Sequence, residues 1–159
     1  MTWEDDLLTE LDADLRSKKD RTDAIDDLFQ MTIMSPEYDE RVSWCLAKMA
    51  QNKCADMRIQ VVLMSMADRD PETDENVLWG LGELAATMIG DDSSFAFIKR
   101  KMADRTVSVR AMAAWAAGRY RHRLSISDDG SLGILNELLS DCSPLVKASA
   151  EFALGDEEK

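Results

Sequence analysis

"VRAMAAWAAG", residues 109–118, sets one large aromatic, Trp115, in a run of alanines and closes on Gly118. Three other ten-residue stretches align with it without a gap: "YDERVSWCLA" (38–47), "TDENVLWGLG" (73–82) and "VKASAEFALG" (146–155). Their seventh positions are Trp44, Trp79, Trp115 and Phe152; their tenth are Ala47, Gly82, Gly118 and Gly155. The stretches begin at residues 38, 73, 109 and 146, a period of about 36 residues. An aromatic and a small residue kept in phase four times define an internal repeat.

Each stretch predicts a helix. Ser35-Pro36, Asp70-Pro71 and Ser143-Pro144 put proline beside a capping residue, where its missing N–H costs nothing. Asp104 or Thr106 caps the third without proline. A second apolar-periodic stretch precedes each one, over 24–33, 57–67, 94–103 and 132–139, with apolar residues at three- and four-residue steps such as Ile25, Leu28, Phe29 and Ile33. The unit is helix, short turn, helix, then a polar connection. The alanines let neighbouring helix axes approach closely. The expected fold is all-α, an α-α superhelix (solenoid) of about four helical hairpins, spanning roughly 20–52, 53–90, 91–124 and 125–159. Before them, residues 1–19 form an acidic amphipathic helix with Leu8, Leu11 and Leu15 on one stripe, read as an N-terminal cap.

The segments "VRAMAAWAAGRY" and "VKASAEFALG", preceded by "DRTVS" and "DCSP", resemble HEAT-like repeats of the phycobilisome-lyase type, whose pattern runs Asp-Pro-x-Val-Arg-x-x-Ala-Ala-x-Ala-Leu-Gly. The third and fourth segments match well; the first two carry Asp39 and Asp74 in place of the arginine. The resemblance covers about residues 20–155 and implies the fold, while leaving function open, because such arrays host adaptors and enzymes alike. It implies that the second helix of each unit lines a concave surface. Arg41, Trp44, Lys48, Asn76, Trp79, Glu83, Met112, Trp115, Arg119 and Phe152 would then face a partner along it. The alternative is that the aromatics pack between units as a ladder.

Catalytic relatives with this fold can be tested by residue type. A HEAT-like hydroxylase with two irons needs His-Glu pairs, and this chain has one histidine, His122. Cys45, Cys54 and Cys142 form no C-x-x-C pair and imply neither a zinc site nor a disulfide framework. No cofactor is expected. The expected function is a non-catalytic scaffold or adaptor, cytoplasmic, binding a protein or peptide. An accessory subunit or lyase-like enzyme holding a chromophore in the same groove is the alternative.

Charge refines the partner. The total is −12, which argues against nucleic acid. From Lys99 to Arg123, however, eight Lys/Arg stand against one acid, Asp104. Lys99, Arg100, Lys101, Arg121, His122 and Arg123 form an expected basic patch, with Arg119 and Arg123 continuing the Trp115 face at four-residue steps. It suits an acidic partner segment or a second copy of the chain; pairing with the chain's own acids is the competing reading. No apolar run reaches the length of a membrane span.

Overall fold

The computed structural model describes residues 2–156. Among them the chain is all-helical: α1 (Trp3–Arg16), α2 (Ile25–Met34), α3 (Asp39–Gln51), α4 (Met57–Ser65), α5 (Pro71–Ala85), α6 (Asp92–Lys101), α7 (Val107–Arg119), α8 (Asp129–Leu138) and α9 (Pro144–Leu154). No helix is long and apolar enough to cross a membrane among the described residues.

The helix starts follow local chemistry. Asp70 accepts from the Thr73 N–H at 2.8 Å, with Pro71 in the first turn of α5. Asp91 with Ser94, and Asp128 with Ser131, close reciprocal capping boxes on α6 and α8. Ser143 caps α9 ahead of Pro144. Two starts differ from the sequence expectation. Ser35-Pro36 opens a 3-10 turn, Pro36–Tyr38, and makes no side-chain cap. At α7, Thr106 is the cap residue but its hydroxyl bonds no N–H of the helix; Asp104 instead accepts from the Thr106 N–H at 2.8 Å.

The four aligned segments fall on α3, α5, α7 and α9, which pack side by side in that order. Val42, Val77, Ala113 and Ala150, all at the fifth position, are fully buried between them. The preceding helices α2, α4, α6 and α8 each pack against the long helix that follows. Alanine and glycine set the spacing. Beside Gly80, a Cβ would stand 2.5 Å from Leu63 Cδ1 and 3.2 Å from the Ala47 backbone.

The α1 helix lies on α3, burying Leu8, Leu11 and Leu15. It is held at both ends. Asp5 accepts from the Tyr38 hydroxyl at 3.1 Å and from Arg41 at 3.3 Å, while the Asn52 amide donates to the Leu15 carbonyl at 2.8 Å. Arg21 ties Asp14 at 2.7 Å. Of residues 1–19, expected as a cap, the described part packs as a single helix against α3.

Ion pairs link successive long helices to the turns beside them. Arg69 donates to both oxygens of Asp39 at 3.0 Å and to the Thr32 carbonyl at 2.9 Å. Lys101 meets Asp74 at 3.1 Å and Asp68 at 2.7 Å. Arg110 grips Asp141 in a two-pronged contact at 2.9 and 3.0 Å. Asp39, Asp74 and Arg110 occupy the same second position of their segments, so the polarity of the link reverses at the third. Burial raises the Asp74 carboxyl despite its partner, whereas the Arg110 guanidinium lowers that of Asp141.

All three cysteines are free thiols. Burial pushes the Cys45 thiol up to about 12, so its thiolate is scarce as well as inaccessible. Under native conditions a soluble thiol reagent should modify exposed Cys142 first and half-buried Cys54 more slowly. Cys45 should react only after denaturant is added. Mass mapping of the labelled peptides checks this, and native labelling of Cys45 at the Cys142 rate would contradict the packing of α3.

Candidate partner-binding groove

Why an aromatic and a small residue recur together becomes clear between α5, α7 and α9. The Trp115 ring fills the space where Gly82 would carry a Cβ, three of its carbons crowding that point. One step along, a Cβ on Gly118 would stand 2.8 Å from Phe152 Cε2 and 2.7 Å from the Ala153 Cα. The seventh-position aromatics of the third and fourth segments therefore pack into the tenth-position notch of the segment before each. Trp44 belongs to the first segment and has no such predecessor. Arg16 of α1 lies over its ring instead, 4.8 Å from the centroid.

The aromatics are half-buried, not enclosed. Trp79 and Trp115 turn their remaining surface into a groove of about 310 Å³, lined also by Glu75, Ser108, Ala111, Met112, Leu145 and Ser149. Its floor is apolar, and Leu145 stands 59% exposed at its edge. A second, more polar groove of about 350 Å³ continues toward α1, lined by Leu8, Asp12, Arg16, Glu40, Arg41, Trp44, Cys45 and Asn76. Glu75 and Asn76, adjacent on α5, join the two.

The expected partner-binding residues separate accordingly. Trp79, Met112 and Trp115 line the apolar groove; Arg41, Trp44 and Asn76 line the polar one. Asn76 is engaged within the chain, donating at 3.1 Å to the Glu40 carbonyl and the Ser43 hydroxyl. Lys48 and Glu83 line neither groove, and Lys48 donates to Gln51 at 2.6 Å. Arg119 sits 5.3 Å from the Trp115 ring centroid and donates to the Gly82 carbonyl at 3.3 Å, clamping the interlock. Phe152 lies outside both grooves, with its ring against Gly118 and, edge-on at 5.1 Å, against His122. It is a packing residue. Leu145, Ala111 and Ser108 were not anticipated. Leu145 had a signal, an exposed-side leucine immediately after the helix-opening Pro144.

The basic window does not form the continuous patch expected of it. Lys99 pairs with Asp128 at 3.0 Å, Arg100 with Asp68 at 3.1 Å, and Lys101 with Asp68 and Asp74. Arg100 and Lys101 hold the Asp68 carboxyl below the usual range. Arg121 donates to the carbonyls of Ala153 at 3.0 Å and Gly155 at 2.8 Å, capping the end of α9. His122, expected on the surface, is buried with 4% exposure. The cause is a π turn over Tyr120–Leu124, whose wider winding breaks the four-residue step from Arg119 to Arg123 and carries His122 inward. Tyr120 anchors that turn. It is fully buried, its hydroxyl 2.7 Å from Ser94 Oγ and its ring stacked on Phe95. Burial raises the Tyr120 phenol far above its ordinary value.

No family model, curated protein or solved structure matches this chain.

Proposed function

We propose that this chain is a non-catalytic HEAT-like scaffold, a short superhelical stack of helical hairpins that holds a protein segment along α5, α7 and α9. The apolar groove of Trp79, Met112, Trp115 and Leu145 carries this reading. Large aromatic and methionine side chains, half-buried and rimmed by polar groups, are the composition of binding anchors. The side-by-side order of α3, α5, α7 and α9, and the aromatic-into-glycine interlocks of α7 with α5 and of α9 with α7, support the stacked architecture. Free thiols at Cys45, Cys54 and Cys142 suit a reducing compartment, and we place the scaffold in the cytoplasm.

Truncating Trp79 and Trp115 together would confound binding with packing, because the Trp115 ring fills the Gly82 notch. Met112→Ser with Leu145→Ser is the cleaner variant, since both side chains border solvent. In nuclease-treated extracts of the source cells, a protein held by the wild type should be retained at least about 10-fold less by this variant, a difference of roughly 1.4 kcal/mol. Its melting temperature should stay within about 3 °C of wild type. Equal retention by both chains would remove the groove as the binding site. A small absorbing molecule co-purifying with wild type and lost from the variant would replace the peptide by a bound cofactor.

A further inference from the structure

The groove has a charge as well as a shape, and the charge selects its occupant. Each cation bordering the aromatic row is already engaged within the chain. Arg16 pairs with Asp12 at 2.6 Å, Arg41 with Asp5 at 3.3 Å, Lys48 bonds Gln51, and Arg119 bonds the Gly82 carbonyl over Trp115. The carboxylates are in the opposite condition. Glu75 lines the apolar groove and Glu40 the polar one, and neither enters an ion pair among the described residues. Lys99, Arg100, Lys101, Arg110 and Arg121 of the 99–123 window, which suggested an acidic partner, are turned to Asp68, Asp74, Asp128, Asp141 and the end of α9.

We infer that the groove takes a cationic peptide segment, an apolar side chain seated among Trp79, Met112, Trp115 and Leu145 and basic side chains reaching Glu75 and then Glu40. This rests on the groove being a binding site. Glu75 is on α5 and Glu40 on α3, which pack directly together. Helices in such contact lie about 8–10 Å apart, the reach of roughly three residues of extended chain. An extended segment crossing the helices thus carries its apolar anchor first and Lys or Arg at three-residue steps after it. The overall charge of −12 steers such a segment toward the protein, and the carboxylates of Glu75 and Glu40 give it a register.

A random dodecapeptide library displayed on phage, selected on the immobilised chain, tests this. Enriched peptides should carry an apolar residue followed by Lys or Arg at about three-residue steps. Synthetic copies should bind Glu40→Gln/Glu75→Gln about 10-fold more weakly and lose affinity with added salt. Glu37→Gln/Glu137→Gln removes the same charge from exposed sites elsewhere and should change affinity less than about 2-fold. Acidic or neutral peptides that need Met112 and Leu145 but ignore Glu40 and Glu75 would overturn the cationic assignment and leave the groove standing. Basic peptides held equally by Met112→Ser/Leu145→Ser, or no enrichment at all, would overturn both.

Discussion

Gly118→Val should destabilise the chain by about 3 kcal/mol, the upper end of the ordinary cost of overpacking. The first added atom would already lie 2.7 Å from the Ala153 Cα, which is backbone and cannot step aside unless α9 moves away from α7. Two further methyl groups widen the gap. For a chain of this length the loss corresponds to a fall of roughly 6–12 °C in melting temperature. Gly118→Ala should be milder, since alanine recovers up to about 1 kcal/mol of helix propensity. Gly133→Ala is the control: nothing stands within 4 Å of its Cβ, so the same exchange in α8 should stabilise by roughly 0.5–1 kcal/mol. Thermal and urea unfolding decide the matter. A Gly118→Val chain that melts with wild type would mean that α7 and α9 do not meet at this point. Gly82→Ala is a different case, because its obstacle is the Trp115 ring, which can swing into the groove.

The second large effect concerns Arg69. Its removal to alanine leaves Asp39, 4% exposed, without a cation and the Thr32 carbonyl without its donor. Stranding a buried charge costs about 3–5 kcal/mol, and the partial exposure of Arg69 places the expected loss near 3. Adding Asp39→Ala should return part of it, since the stranded charge is then gone, with a coupling of about 1–3 kcal/mol between the two sites. A loss within about 0.5 kcal/mol for Arg69→Ala alone, the size of an ordinary surface change, would show that the pair is ornamental.

Helix positions were legible in the sequence because their determinants are local. Apolar steps such as Ile25–Leu28–Ile33 and caps such as Asp70-Pro71 act within one or two turns. Helix ends were harder: Lys18, Lys53, Met88 and Ser125 adopt the left-handed conformation where glycine would have announced a stop. The π turn was invisible, since it depends on Tyr120 finding Ser94 and Phe95 on another helix. The same holds for the site. Trp79, Met112 and Trp115 could be placed on one stripe by helical spacing, and they line one groove. The pairing of Trp115 with Gly82, and the assignment of Lys101 to Asp74, are relations between neighbouring helices that no single helical wheel contains. For this reason the cations of the 99–123 window looked like a surface patch.

The reversal of polarity along the Asp39–Arg69, Asp74–Lys101 and Arg110–Asp141 links also bears on how the chain reaches its fold. Segments that resemble one another invite misassembly, each able to dock against the wrong neighbour with nearly the same apolar face. Here the apolar faces are alike but the signs are not. Were α3 to dock where α7 belongs, Asp39 would meet Asp141, carboxylate against carboxylate in a half-buried site. The ion pairs thus work as an address that keeps α3 and α5 out of the place of α7, while the alanine-rich faces supply the adhesion.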